Sequence, residues 1–98
     1  MTQTNPKILS PEDIHHHLQS LEGWCKPEGT DQIEKNYSFK DYHHTMAFVN
    51  AVAWIAHRQD HHPDMQVGYN SCKVVYSTHS AGGITEKDIN AATKVEEL

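Results

Sequence analysis

Apolar residues recur at two different spacings along this chain, and the switches between them mark its elements. Near the N-terminus, Ser10-Pro11-Glu12-Asp13 reads as a helix start. Ser10 sits at the N-cap, Pro11 at the first helical position, and the two acids face the positive end of the helix dipole. Ile14, Leu18 and Leu21 follow at i, i+4 and i+7 as one apolar stripe, and Gly23 is placed to close the helix. Beyond Trp24 the texture changes. Pro27, Glu28, Gly29 and Thr30 are turn formers, and Ile33, Lys35, Tyr37 and Phe39 fall on one face of an alternating run. This predicts a hairpin with strands over 24–27 and 31–39.

A longer helix is expected from a cap at Asp41 to about Asp60. Phe48, Val49, Val52, Ile55 and Ala56 give it a wide stripe suited to the core. Trp54 lies off that stripe, fit either for packing at its edge or for a subunit contact. Pro63 disfavours the α conformation at His62, so the helix should stop at or just before that residue. Residues 65–69 and 72–79 are the remaining strand candidates, joined at Asn70-Ser71. Val74, Tyr76 and Thr78 share one side of the second, and Val75, Ser77 and His79 the other. Gly82-Gly83 ends that run. Thr85-Glu86-Lys87-Asp88 resembles a capping box, and Ile89, Ala92 and Val95 line a last helix. The order predicts an α+β fold of two layers, a four-stranded antiparallel sheet with three helices packed on one face. Residues 1–9 read as a flexible tail and 10–98 as one domain.

With 98 residues the chain has room for one small domain, whose thin core would gain from self-association. Thirteen acids against eight bases, a net charge of −5, exclude direct nucleic-acid binding through bulk charge. The longest apolar stretch, 47–56, is broken by Asn50 and falls far short of the ~20 residues that cross a bilayer. No membrane partner is expected. The polar N-terminus shows no secretory signal, and Cys25 and Cys72 lack CxxC partners, so both read as reduced thiols. A cytoplasmic location follows as an expectation, with nuclear entry left open.

Nine histidines outnumber the eight lysines and arginines. His15, His16 and His17 point about 100° apart on a helix and cannot converge on one ligand. They read as solvent-facing, as do His43 and His44. The segment His57-Arg58-Gln59-Asp60-His61-His62-Pro63 differs, because the proline bend puts two imidazoles at a helix end. His79, at the end of the fourth expected strand, could meet them there. The residues alone leave three readings open. One is a metal site from His57 and His61, four apart, with His79 as third ligand, although Arg58 would repel a cation. Another is metal-free acid/base chemistry, for which imidazole is suited near neutral pH. The third is a set of solvated histidines with no chemical task.

The pattern His57-x3-His61-His62-Pro63-x5-Tyr69-x9-His79-x8-Asp88 resembles the signature of the pterin-4a-carbinolamine dehydratases. Gly23-Trp24, Phe39-Lys40-Asp41-Tyr42, Asp60-His61-His62-Pro63, Ser77-Thr78-His79 and the segment from Thr85 to Asn90 resemble family segments in order and spacing. One departure is visible, since position 57 is commonly acidic in the family and here is histidine.

The resemblance implies dehydration of 4a-hydroxytetrahydrobiopterin to quinonoid dihydropterin and water, recycling tetrahydrobiopterin with no metal and no cofactor. It implies that His61 and His79 are the acid and base, and that His62 chiefly binds and orients the substrate. It implies that Asp60, Ser77 and Thr78 line the pterin site with the three histidines. Asp88 would orient a histidine or complete a cap. Trp24 would be a ring neighbour of the pterin or a core residue, and His57 is the substitution to watch. A homodimer or homotetramer is expected. The alternatives are a protein acting on another pterin, or a non-catalytic dimerisation cofactor for a homeodomain transcription factor, the second role of animal members. Nothing in this sequence signals such a partner.

Overall fold

Ser10 caps the first helix, α1 (Pro11–Leu18), its hydroxyl oxygen accepting the Asp13 N–H at 3.1 Å. The structure, a computed structural model, describes residues 7–98. Most of the expected tail, 1–9, lies outside the described residues. At its end the Leu9 N–H donates to the Ile84 carbonyl at 2.8 Å, and Leu9 packs against the core. Helix α1 stops at Leu18, earlier than Gly23, because Ser20 and Leu21 bond to carbonyls three residues back. Gly23 then takes a φ of +82°, where a Cβ would meet the Lys35 side chain at 2.8 Å.

Three strands form one antiparallel sheet in the order β1-β3-β2: β1 (Ile33–Ser38), β2 (Asp64–Val67) and β3 (Ser71–Tyr76). Ile33 faces Tyr76 across one seam and Met65 faces Val74 across the other. The first expected strand, 24–27, is reduced to a single bridge, which leaves three strands in place of four. Cys25 and Glu34 exchange both backbone bonds, at 3.0 and 2.8 Å. The ladder cannot extend, because the Trp24 N–H is committed to the Leu21 carbonyl and Pro27 has no N–H. Strand β3 also ends sooner than expected. It stops at Tyr76, and the Thr78 carbonyl accepts from Ala81 and Gly82, both at 3.0 Å, folding a tight turn that carries His79.

Asp41 caps α2 (Tyr42–Gln59) through the His44 N–H, and Thr85 with Asp88 forms the capping box of α3 (Glu86–Glu96). One face of β1 and β3 supplies Ile33, Cys72, Val74 and Tyr76 to the core. Val52 of α2 and Ile89, Ala92 and Val95 of α3 cover it, with Ile14, Leu21 and Trp24 from the N-terminal segment. Lys73 and Val75 on the opposite face of β3 are half-buried. The α2 stripe is shallower than its sequence suggests, with Phe48, Val49 and Ile55 only half-buried. Trp54 does not pack at its edge. The indole is 60% exposed and lies against His57, ring centroids 5.7 Å apart. Among the described residues no helix is long and apolar enough to cross a membrane.

Candidate active site

Helix α2 ends in a left-handed residue that is not glycine. Asp60 has φ 50° and ψ 43°. Its N–H reaches the His57 carbonyl, and the His61 N–H reaches back to Ala56 at 3.1 Å, so the last helical carbonyls are satisfied as the chain turns out. Aspartate is one of the few side chains that tolerates this region. The turn releases His61 from the helix. His57 stays behind on the exposed face of α2, so the two do not form an i, i+4 pair, and His57 does not line the cavity described below.

His61 is held on two sides. Its ring lies parallel to that of the fully buried Tyr76, at 5.7 Å and 10°. Its Nε2 is 2.6 Å from Oδ1 of Asp88, which is itself fully buried. The other carboxylate oxygen accepts the Thr85 N–H at 2.9 Å and the Thr78 hydroxyl at 2.8 Å. Asp88 therefore completes the α3 cap and orients a histidine at once. A carboxylate only accepts, so Nε2–H donates and Nδ1 is the ring nitrogen left to exchange a proton. Thr78 has one hydroxyl proton and gives it to Asp88, so Thr85 donates to Thr78 across 2.8 Å. Burial, with the Asp88 charge nearby, pushes the Tyr76 phenol up to about 12. A neutral ring thus backs the imidazole.

A cavity of about 300 Å³ opens in front of this network, at the small end of the ~300–1,000 Å³ usual for small-molecule sites. Asp60, His61, His62, Ser77, Thr78 and His79 all line it. Three chain segments meet here: the α2 corner, the end of β3 with its turn, and the start of α3. The cavity also takes in Ser80 and Lys87, which sequence reasoning missed. Ser80 follows His79 on the turn, and Lys87 immediately precedes Asp88, so adjacency to candidate residues was the available signal. Trp24 is elsewhere. It is buried in the core, its Nε1–H donates to Glu96 at 3.1 Å, its ring packs near Tyr76 with centroids 6.1 Å apart, and it does not line the histidine cavity. Among the described residues no three histidine, cysteine or carboxylate side chains are grouped to hold a metal ion.

Comparison with known proteins agrees with the histidine signature. The family model described as Pterin 4 alpha carbinolamine dehydratase matches residues 7–98. The chain belongs to this family. A relative from Nitrosospira multiformis that carries the pterin-4-alpha-carbinolamine dehydratase name is 53% identical over 90 residues, which is 92% of this chain and 78% of the relative. One from Nitrosomonas eutropha is 50% identical over 91 residues, 92% of this chain and 79% of its own. The crystal structure of a transcriptional coactivator/pterin dehydratase from Brucella melitensis superposes with a TM-score of 0.89 at 34% identity, covering 93% and 97% of the two chains. A pterin dehydratase-like protein identified as a RuBisCO assembly factor in the alpha-carboxysome shares the fold alone, with a TM-score of 0.65 at 22% identity over 78% and 88% of the chains. As a member of the pterin-4a-carbinolamine dehydratase family the chain is a hydro-lyase.

Proposed function

We propose that residues 10–98 form one catalytic domain that dehydrates a pterin-4a-carbinolamine, 4a-hydroxytetrahydrobiopterin, to quinonoid dihydropterin and water. The observation that carries this reading is the convergence of His61, His62 and His79 on one cavity, with His61 held by the buried Asp88. The reaction breaks the C4a–O bond, with a proton delivered to the departing hydroxyl. It forms the N5=C4a bond, with the N5 proton removed. One acid and one base suffice, and their assistance is worth ~10²–10⁴-fold. We assign these roles to His61 and His79, which come from different segments and so can serve opposite faces of a ring. His62, exposed beside them, binds and orients the pterin with Asp60, Ser77 and Thr78.

Self-association into a homodimer or homotetramer is part of the same proposal. It is supported by the exposed Trp54 on an α2 that keeps only Thr45, Val52 and Ala56 fully buried. Stopped-flow dehydration with His61→Ala, His79→Ala and His62→Ala tests the assignment. The first two variants should lose turnover and the third chiefly affinity. Near-wild-type rates in the first two would sink it.

A further inference from the structure

A cationic groove leads away from the histidine cavity. That cavity shares His61 and Lys87 with a second of about 220 Å³, whose other walls are Gln59 and Asn90. Gln59 belongs in turn to a third, of about 260 Å³, with Ile55, Arg58 and Lys94. The three lie end to end along the seam between α2 and α3. Lys87, Asn90 and Lys94 are spaced i, i+3 and i+7, one stripe of α3, and Ile55, Arg58 and Gln59 face it from the end of α2.

The chain carries a net charge of −5, yet no carboxylate lines the second or third cavity. Among the described residues Arg58 and Lys87 have no ion-pair partner. Lys94 has only an exposed contact with Glu97 at 3.5 Å, a weak hold for a surface pair. The Gln59 side chain forms the shared wall of the two cavities, and its buried Oε1 has no hydrogen-bond partner among the described residues. A neutral pterin ring seated among the histidines leaves Arg58 and Lys94 unused.

We propose that the α2–α3 groove is a subsite for an anionic side chain on the pterin. A terminal phosphate or carboxylate on that chain would meet Arg58 and Lys94, with Lys87 at the entrance and Gln59 as the wall between them. The proposal rests on the pterin dehydratase reading of the histidine cavity and extends its substrates beyond biopterin to pterins with a charged side chain. A biopterin carbinolamine, with an uncharged side chain, fills the cavity and leaves the charged end of the groove unused.

Binding of oxidised pterins, which have no 4a-hydroxyl to lose, tests the subsite without catalysis. Fluorescence titrations compare a neutral polyol side chain, the same chain bearing a phosphate ester, and a chain ending in a carboxylate. At least one charged pterin should bind about tenfold tighter than the neutral one, with the advantage shrinking as salt is added. The stronger of the two names the anion the groove prefers. In an R58Q/K94Q double variant the ratio should fall to near one. Equal wild-type affinities, or a ratio that survives in the double variant, overturn the subsite and leave the dehydratase reading intact. Failure of all three pterins to bind overturns both.

Discussion

His61 Nε2 lies 2.6 Å from Asp88 Oδ1, while Oδ2 of the same carboxylate accepts the Thr85 N–H at 2.9 Å. The residue that completes the α3 cap therefore also sets which nitrogen of His61 is free, and folding of the helix and preparation of the imidazole are one event. Asp88→Asn separates the two tasks. Its amide keeps one oxygen for the cap but presents an NH₂ group, so Nε2 must accept and the ring proton moves to Nδ1. Turnover should fall about 10²-fold or more, with pterin affinity little changed. Asp88→Ala should lose the cap as well, at about 0.5–2 kcal/mol in urea unfolding. Full turnover in Asp88→Asn would show that the contact does not prepare His61.

Asp60 holds the left-handed conformation that turns His61 and His62 into the cavity. Glycine adopts this region without a Cβ penalty, whereas an ordinary L-residue carries about 1–2 kcal/mol there. Asp60→Gly should therefore fold at least as stably as Asp60→Ala, by about 1 kcal/mol in chemical denaturation. An alanine variant more stable than the glycine variant would show that the corner is not under backbone strain.

The C-terminal end of α3 is tied to the sheet by Glu96, which accepts from Lys35, from the Tyr37 hydroxyl at 3.1 Å and from Trp24 Nε1 at 3.1 Å. Burial pushes the Glu96 carboxyl up, but the hydrogen bonds from Lys35 and Tyr37 and the Lys35 charge outweigh it and hold it below its ordinary value. A depressed carboxyl stabilises the fold above its unfolded value, about 4.3, and that contribution is lost as pH falls through the folded value. Two tyrosines, the half-buried Tyr37 and the buried Tyr76, act in the opposite direction. Burial, then the Glu96 charge, raises Tyr37, and burial raises Tyr76 to about 12. Their contribution is complete below about 10 and is lost as pH rises from there through the folded values. Thermal melts should decline on both sides, with Glu96→Gln flattening the acid limb and Tyr37→Phe the alkaline one. Unchanged limbs in both variants would remove these groups from the account.

The helices were legible because each begins on an acceptor that the sequence displays: Ser10, Asp41 and Thr85. Strand number was not. Alternation cannot reveal that the Trp24 N–H is already spent on a turn, or that the Thr78 carbonyl serves Ala81 and Gly82 instead of a ladder. The six candidates Asp60, His61, His62, Ser77, Thr78 and His79 were readable as a group because two short segments carry them. The i, i+4 spacing of His57 and His61 carries no pairing, since it assumes a helix running through Asp60. Lys87 was hidden for another reason. Only its adjacency to Asp88 marked it, because its place in the cavity depends on how α3 docks beside α2, a tertiary relationship.

Tyr76 provides a test of how His61 is supported. Its ring lies parallel to the imidazole at 5.7 Å, and its hydroxyl is buried with no hydrogen-bond partner among the described residues. The ring is therefore the useful part, and the hydroxyl carries a desolvation cost of about 1–3 kcal/mol. Tyr76→Phe keeps the stacking surface and removes that cost. The variant should be more stable by about 1 kcal/mol in urea unfolding. Its turnover should stay within a few-fold of wild type, because the Asp88 contact that orients His61 is untouched. The alkaline limb of its melting curve should also flatten, since a phenol raised to about 12 no longer takes part. A loss of stability in Tyr76→Phe would mean that the hydroxyl is hydrogen-bonded in solution. The polar network would then extend from Asp88 to the strand beneath His61, and the imidazole would rest on a hydrogen-bonded phenol instead of an isolated ring.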